Sequence, residues 1–108
     1  MSNQNRAVII KTFEQLNKAE LYEIIQLRIA VFIIEQDCPY QDLDGMDDQG
    51  LHMWIEEDGE IVSYLRINPA ATRFTEPSLG RIVTKMTYRN KGLGEILINK
   101  AIEEVCKD

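Results

Sequence analysis

The dipeptide Asp58-Gly59 stands between two runs in which apolar residues alternate with polar ones, Leu51–Glu57 and Glu60–Asn68. Two adjacent residues that tolerate positive φ, flanked by side chains of period two, direct the chain into a tight antiparallel hairpin. A lone hairpin is marginal in water, so this one needs further strands and a helix against its apolar face.

The neighbouring segments supply both. Val8-Ile9-Ile10, followed by Thr12 and Phe13, give residues 7–13 the β-branched density of a first strand. From Glu20, the residues Leu21, Ile24, Ile25 and Phe32 recur at spacings of three, four and seven. That period predicts a helix over residues 20–36, although Val31-Phe32-Ile33-Ile34 has strand propensity of its own. Residues 37–50 hold five aspartates, two glycines and Pro39, a composition that predicts a long loop. Residues 69–77 form a second connection and 79–86 a fourth strand. After Gly92, Leu93, Ile96, Leu97, Ala101, Ile102 and Val105 mark the buried side of a last helix, and Glu95, Lys100, Glu103, Glu104 and Lys107 its wet side. The order is strand, helix, three strands, helix.

A chain of 108 residues without a long Pro, Gly or Ser run has room for one domain, 1–108. An apolar fraction of 44% with 28% charged residues predicts a packed core. The net charge of −6 argues against a nucleic-acid partner, which needs clustered Lys and Arg. Apolar runs such as 29–34 are far shorter than the roughly 20 residues that cross a bilayer, and the polar start Met1-Ser2-Asn3-Gln4-Asn5 lacks the apolar core of a signal peptide. The expectation is a cytoplasmic protein with no membrane contact. Cys38 and Cys106 have no CxxC spacing, so neither a zinc site nor a disulfide framework is expected; both are read as reduced thiols and Cys38 as a packing residue. The aspartates at 37, 42, 44, 47 and 48 do not follow EF-hand spacing. They are read as a solvated loop attractive to amines, with no metal.

The segment from Leu79 to Gly94 carries the chemistry. It reads as a strand, a short turn, and glycines that open an amphipathic helix. First-turn amides have no intrahelical partner, and the helix dipole places partial positive charge there, so an anion can be held by the main chain. Gly92 and Gly94 leave the backbone open to a diphosphate, and Arg89 and Lys91 add positive charge. A dinucleotide fingerprint fits less well: it needs a third glycine and a later acidic residue that the remaining chain does not provide.

Arg89-Asn90-Lys91-Gly92-Leu93-Gly94 resembles the Arg/Gln-x-x-Gly-x-Gly/Ala signature of the GNAT (GCN5-related) N-acetyltransferases. Arg28-Ile29-Ala30-Val31-Phe32-Ile33-Ile34-Glu35-Gln36, with Cys38-Pro39-Tyr40-Gln41-Asp42-Leu43-Asp44-Gly45, looks like the first helix and acceptor-side loop of the ElaA-like subgroup. The hairpin and Leu79-Gly80-Arg81-Ile82 extend the likeness over nearly the whole chain. The resemblance implies an α/β fold: a mixed, mainly antiparallel sheet flanked by helices. It implies acetyl-CoA as donor, with the pantetheine arm on the main chain of Ile82, Val83 and Thr84 and the pyrophosphate in the turn Arg89, Asn90, Lys91, Gly92, Leu93 and Gly94. Thr84 stands where the family usually has Val and Met86 where it commonly has Pro; neither change touches a main-chain contact. The family's fifth strand, fourth helix and closing hairpin have no counterpart here, so the likeness implies a chain truncated at its C-terminus, with an unpaired edge on strand four.

The implied reaction is direct attack of a primary amine, on a small molecule or peptide, upon the acetyl thioester. The alternative is a non-catalytic CoA-binding or dimerisation module that pairs with a second copy. Glu35 and His52 are the candidate catalytic bases. Arg28 and Glu35 are seven apart, so a continuous helix puts both in its apolar stripe, either at the acceptor cleft or as a mutual buried ion pair or in contacts to loop backbone. His52 has a suitable ordinary pKa, yet a single histidine beside a turn is more often a structural hydrogen-bonder. Tyr64 and Arg66 share one face of their strand, lining a cleft or facing solvent.

Overall fold

The computed structural model describes residues 6–39, 41–69 and 77–106. Strands β1 (Arg6–Thr12), β2 (Leu51–Glu57), β3 (Glu60–Asn68) and β4 (Ser78–Thr84) form one sheet in the order β1-β2-β3-β4, antiparallel throughout. The hairpin closes with Glu57 opposite Glu60, and Asp58 and Gly59 both take positive φ, 54° and 81°. That is the turn whose twist matches its flanking strands.

Helices cover both faces. On one, α2 (Leu93–Val105) packs Leu93, Leu97 and Ala101 onto Met53, Ile55, Val62, Leu65 and Ile67. On the other, α1 (Lys18–Arg28) and the segment after it set Ile24, Leu27 and Val31 against Trp54, Ile61, Tyr64 and Val83. Ile96 and Ile102, expected on the buried side of α2, are exposed. A single sheet meets only a narrow stripe of the helix, so its outer flank stays uncovered among the described residues.

The first helix starts earlier and ends sooner than its apolar period indicates. Asn17 accepts the Glu20 N–H, and the Glu20 carboxylate accepts the Asn17 N–H. This reciprocal cap fixes the start at Lys18. Past Arg28 the chain widens into a π-helical segment, Ile29–Glu35, with the Gln36 amide bonded to Val31 O and that of Cys38 to Ile33 O. Each wide turn lags behind the α period, so seven residues no longer return to the same side. Arg28 is buried while Glu35 is exposed, and they do not pair with each other. Cys38 is also exposed, as is Cys106, and both are free thiols; Cys38 is therefore not a packing residue. Tyr40, most of the connection between Pro69 and Pro77, and Lys107 lie outside the described residues.

Candidate functional site

The edge strand β4 is not regular. Tyr64 faces Val83 and Arg66 faces Gly80, so Arg81 and Ile82 together stand opposite Leu65. This bulge puts Arg81 in the left-handed region at φ 51°. Ile82 is exposed beside it, Val83 is buried in the core under α1, and Thr84 exchanges a 2.9 Å hydrogen bond with Ser63. The outer side of β4 has no strand partner among the described residues.

A short 3-10 turn, Met86–Tyr88, leads from β4 into the glycine turn. Asn90 and Gly92 adopt positive φ, 65° and 77°, and Gly92 is the N-cap of α2. Among the described residues no side chain caps this helix; the Ile96 N–H bonds back to Gly92 O at 3.1 Å. The amides of Leu93, Gly94 and Glu95 therefore precede the first intrahelical bond. A Cβ built on Gly92 would meet nothing within 4 Å, whereas one on Gly94 would lie 3.7 Å from Thr84 Oγ1. The first turn of α2 thus packs on the end of β4 while the space before Gly92 stays open.

Arg89 does not offer its charge to that space. Its Nε donates to Thr84 O at 2.9 Å, and Nη1 and Nη2 donate to the two carboxylate oxygens of Glu35 at 2.6 and 2.8 Å. Arg89 holds the Glu35 carboxyl below its ordinary range. A carboxylate so engaged is a poor base for an ammonium group. Lys91, with Nζ 5.1 Å from the Tyr88 ring, is the exposed cation on the turn, and Leu93 serves the core. Beside Glu35 an apolar cleft of about 580 Å³, lined by Leu27, Val31, Ile34, Ile61 and Met86, opens between the π-helical segment and the ends of β3 and β4.

The aspartate loop is not the solvated amine trap its composition indicates. Arg28 donates from Nε to Asp42 Oδ2 (2.9 Å), from Nη1 to Asp47 Oδ1 (2.8 Å) and from Nη2 to Asp42 O (2.9 Å). Arg66 donates to both Asp44 oxygens and to Asp47 Oδ1, each within 2.9 Å. Arg81 reaches from the bulge to Asp42 and Asp44. Three arginines from α1, β3 and β4 therefore gather Asp42, Asp44 and Asp47, leaving Asp37 and Asp48 in solvent. Burial alone would raise the Asp47 carboxyl, yet the Arg28 and Arg66 guanidinium groups hold it below the usual range. Tyr64 and Arg66 neither line a cleft nor face water; both are fully buried.

His52 is buried in the same cluster. Its Nε2 lies 2.8 Å from Asp47 O, which can only accept, so Nε2 carries the proton. Nδ1, 2.7 Å from Tyr64 Oη, then accepts from the phenol, whose own pKa is pushed up by burial. With both nitrogens engaged and the ring 1% exposed, His52 is a structural hydrogen-bonder and not an accessible base. Desolvation lowers its pKa. Between that lowered value and the ordinary one near 6.5, the unfolded chain binds more protons than the folded one. Stability is thus expected to fall as pH drops below about 6.5, and His52→Gln should flatten that dependence in urea titrations at pH 5 to 7. An equal slope in the variant would contradict the neutral assignment.

The cluster was readable only in part. Alternation along β3 puts Arg66 on the side of Tyr64 and away from Leu65 and Ile67, a charge on a face that the hairpin buries. No local pattern names its partners, which come from residues 19 and 22 positions away.

The model of the Acetyltransferase (GNAT) family matches residues 17–108. Protein ElaA of Escherichia coli is 36% identical over 91 residues, which cover 82% of this chain and 60% of that protein. A UPF0039 protein of Synechocystis is 34% identical over 97 residues, covering 89% of this chain and 63% of the relative. The chain thus spans about three fifths of the length of these curated relatives. Among solved structures, an acyl-CoA N-acyltransferase from Pseudomonas aeruginosa superposes with a TM-score of 0.87 at 33% identity, over 95% of this chain and 74% of the other. The crystal structure of E. coli ElaA gives 0.87 at 31%, over 93% and 69%. The four-stranded sheet between two helical layers agrees with these matches: the chain belongs to the GNAT acetyltransferase family, with ElaA-like proteins among its relatives.

Proposed function

We propose that this chain carries the donor-binding part of an N-acetyltransferase that moves an acetyl group from acetyl-CoA to a primary amine on a small molecule or peptide. One observation carries the reading. Among the described residues the first turn of α2 carries no side-chain cap and nothing lies within 4 Å of a Cβ built on its N-cap, Gly92, beside a bulged strand edge that has no strand partner there. Family membership and the likeness to an acyl-CoA N-acyltransferase support it.

In this reading the turn Arg89, Asn90, Lys91, Gly92, Leu93 and Gly94 takes the diphosphate, mainly through main-chain amides and the dipole of α2, with Lys91 as the free charge. The main chain of Ile82, Val83 and Thr84 holds the pantetheine arm. Bound acetyl-CoA would supply the thioester electrophile. The chain would contribute proximity and backbone donors that stabilise the developing oxyanion. Neither Glu35 nor His52 serves as the base, since each already has its hydrogen bonds. The acidic balance of −6 favours a cationic acceptor. Two exposed free thiols fit a reducing, cytoplasmic setting.

Calorimetric titration with acetyl-CoA, followed by thiol release across a panel of amines, tests the proposal. Micromolar binding with turnover is the expected result. Binding without turnover, together with a dimer in light scattering, would favour the module that pairs along the free edge of β4. Failure to bind acetyl-CoA overturns the donor assignment.

A further inference from the structure

The proposed transfer assigns no task to Glu35, yet both of its carboxylate oxygens are committed to one residue. That residue, Arg89, opens the glycine turn, and its guanidinium acts as a fork on two elements at once: Nε ties it to the end of β4 at Thr84 O, and the two terminal nitrogens tie it to the end of the π-helical segment. Asn90 and Gly92 are both left-handed, a conformation that Asn and Gly tolerate better than other residues but that does not by itself fix the path of the turn. A long-range contact can, and the Glu35–Arg89 pair spans 54 positions of sequence to provide one.

The direction of Glu35 has its own cause. In an unbroken α-helix it would share the buried side of Arg28, seven residues earlier. The wide turns of Ile29–Glu35 rotate it off that side, leaving Arg28 to the aspartate loop and delivering Glu35 to the glycine turn. Wide helical turns of this kind occur frequently at functional sites.

We infer that Glu35 is a positioning residue: acting through Arg89, it sets the turn whose main-chain amides receive the diphosphate, and the π-helical segment is what aims it there. The inference rests on the proposed donor site. It turns Arg89 from a phosphate ligand into a strap and Glu35 from a base into its anchor.

The test is calorimetry on the full chain with coenzyme A and with ADP, a probe that retains the diphosphate but lacks pantetheine. Glu35→Gln is expected to bind both ligands about threefold to tenfold more weakly, the scale of losing one charge-assisted, partly exposed contact. Its melting temperature should stay close to that of the original chain, and the backbone amide resonances of residues 90–94 should shift or broaden in the free protein. If Glu35 acts through Arg89, adding Glu35→Gln to Arg89→Met should cause no further loss, because the two changes break one contact. Unchanged or tighter binding by Glu35→Gln, or losses that simply add, would overturn the role of Glu35 while leaving the donor site intact. No binding of coenzyme A by the unaltered chain would overturn both readings together.

Discussion

Gly92→Val is expected to weaken coenzyme A binding by roughly 30- to 100-fold in calorimetric titrations, the largest single-residue effect on the proposed donor site. The reason is conformational before it is steric. Gly92 sits at φ 77°, where a β-branched residue is strained, and among the described residues no neighbour lies within 4 Å of the position a Cβ would take, so none of them clashes. Valine must either accept a strain of about 1–2 kcal/mol or let the turn relax and swing the first amides of α2 away. A side chain that does stay points into the open space where the phosphates are proposed to arrive. Gly92→Ala should give a smaller loss, since its strain is similar but its bulk is less. Because Gly92 is exposed and outside both core layers, the loss of stability should not exceed that strain, about 1–2 kcal/mol. Equal affinity in Gly92→Val and the unaltered chain would remove the diphosphate from this turn.

Asp47→Ala is expected to destabilise the fold by about 3 kcal/mol at pH 7, a large share of the stability of a domain this size. A single oxygen, Asp47 Oδ1, accepts from both Arg28 and Arg66 at 2.8 Å. Arg28 and Arg66 are fully buried, and removing their shared acceptor leaves two guanidinium groups short of compensation. Asp42 and Asp44 keep their own contacts to these arginines, which holds the loss at the lower end for a broken buried pair. Asp47→Asn, which keeps one acceptor oxygen, should lose less. The pH dependence has a definite sign. Asp47 has a folded pKa below its ordinary value, so its contribution is fully present above about pH 4 and disappears as pH falls through the folded value. The gap between the original chain and Asp47→Ala should therefore narrow in urea titrations run toward acid. A loss under about 1 kcal/mol at pH 7 would mean that Asp42 and Asp44 suffice.

Local chemistry determined much of this protein without help from tertiary structure. Asp58-Gly59 can turn tightly with both φ positive, and the observed strands begin and end where its flanking pattern places them. Gly92 at the head of an amphipathic run marks a helix start with an open backbone, and α2 begins at Leu93. These features are decided by residues a few positions apart, whose steric limits hold in any surroundings. The cap of α1 was equally local, with Asn17 three residues before Glu20.

Tertiary structure decided where the charges went. Composition treats five aspartates between 37 and 48 as a wet loop, because a run of carboxylates has no reason to fold inward alone. Arg28, Arg66 and Arg81, from three elements, supply that reason only once the sheet has assembled. The α-helical period likewise sets Arg28 and Glu35 side by side, and the wide turns between them send one to the loop and the other to Arg89. Hairpins and helix starts answer to neighbours in sequence. Ion pairs spanning 14 to 54 positions answer to distance in space, and the order of residues along the chain does not contain that distance until the chain has folded.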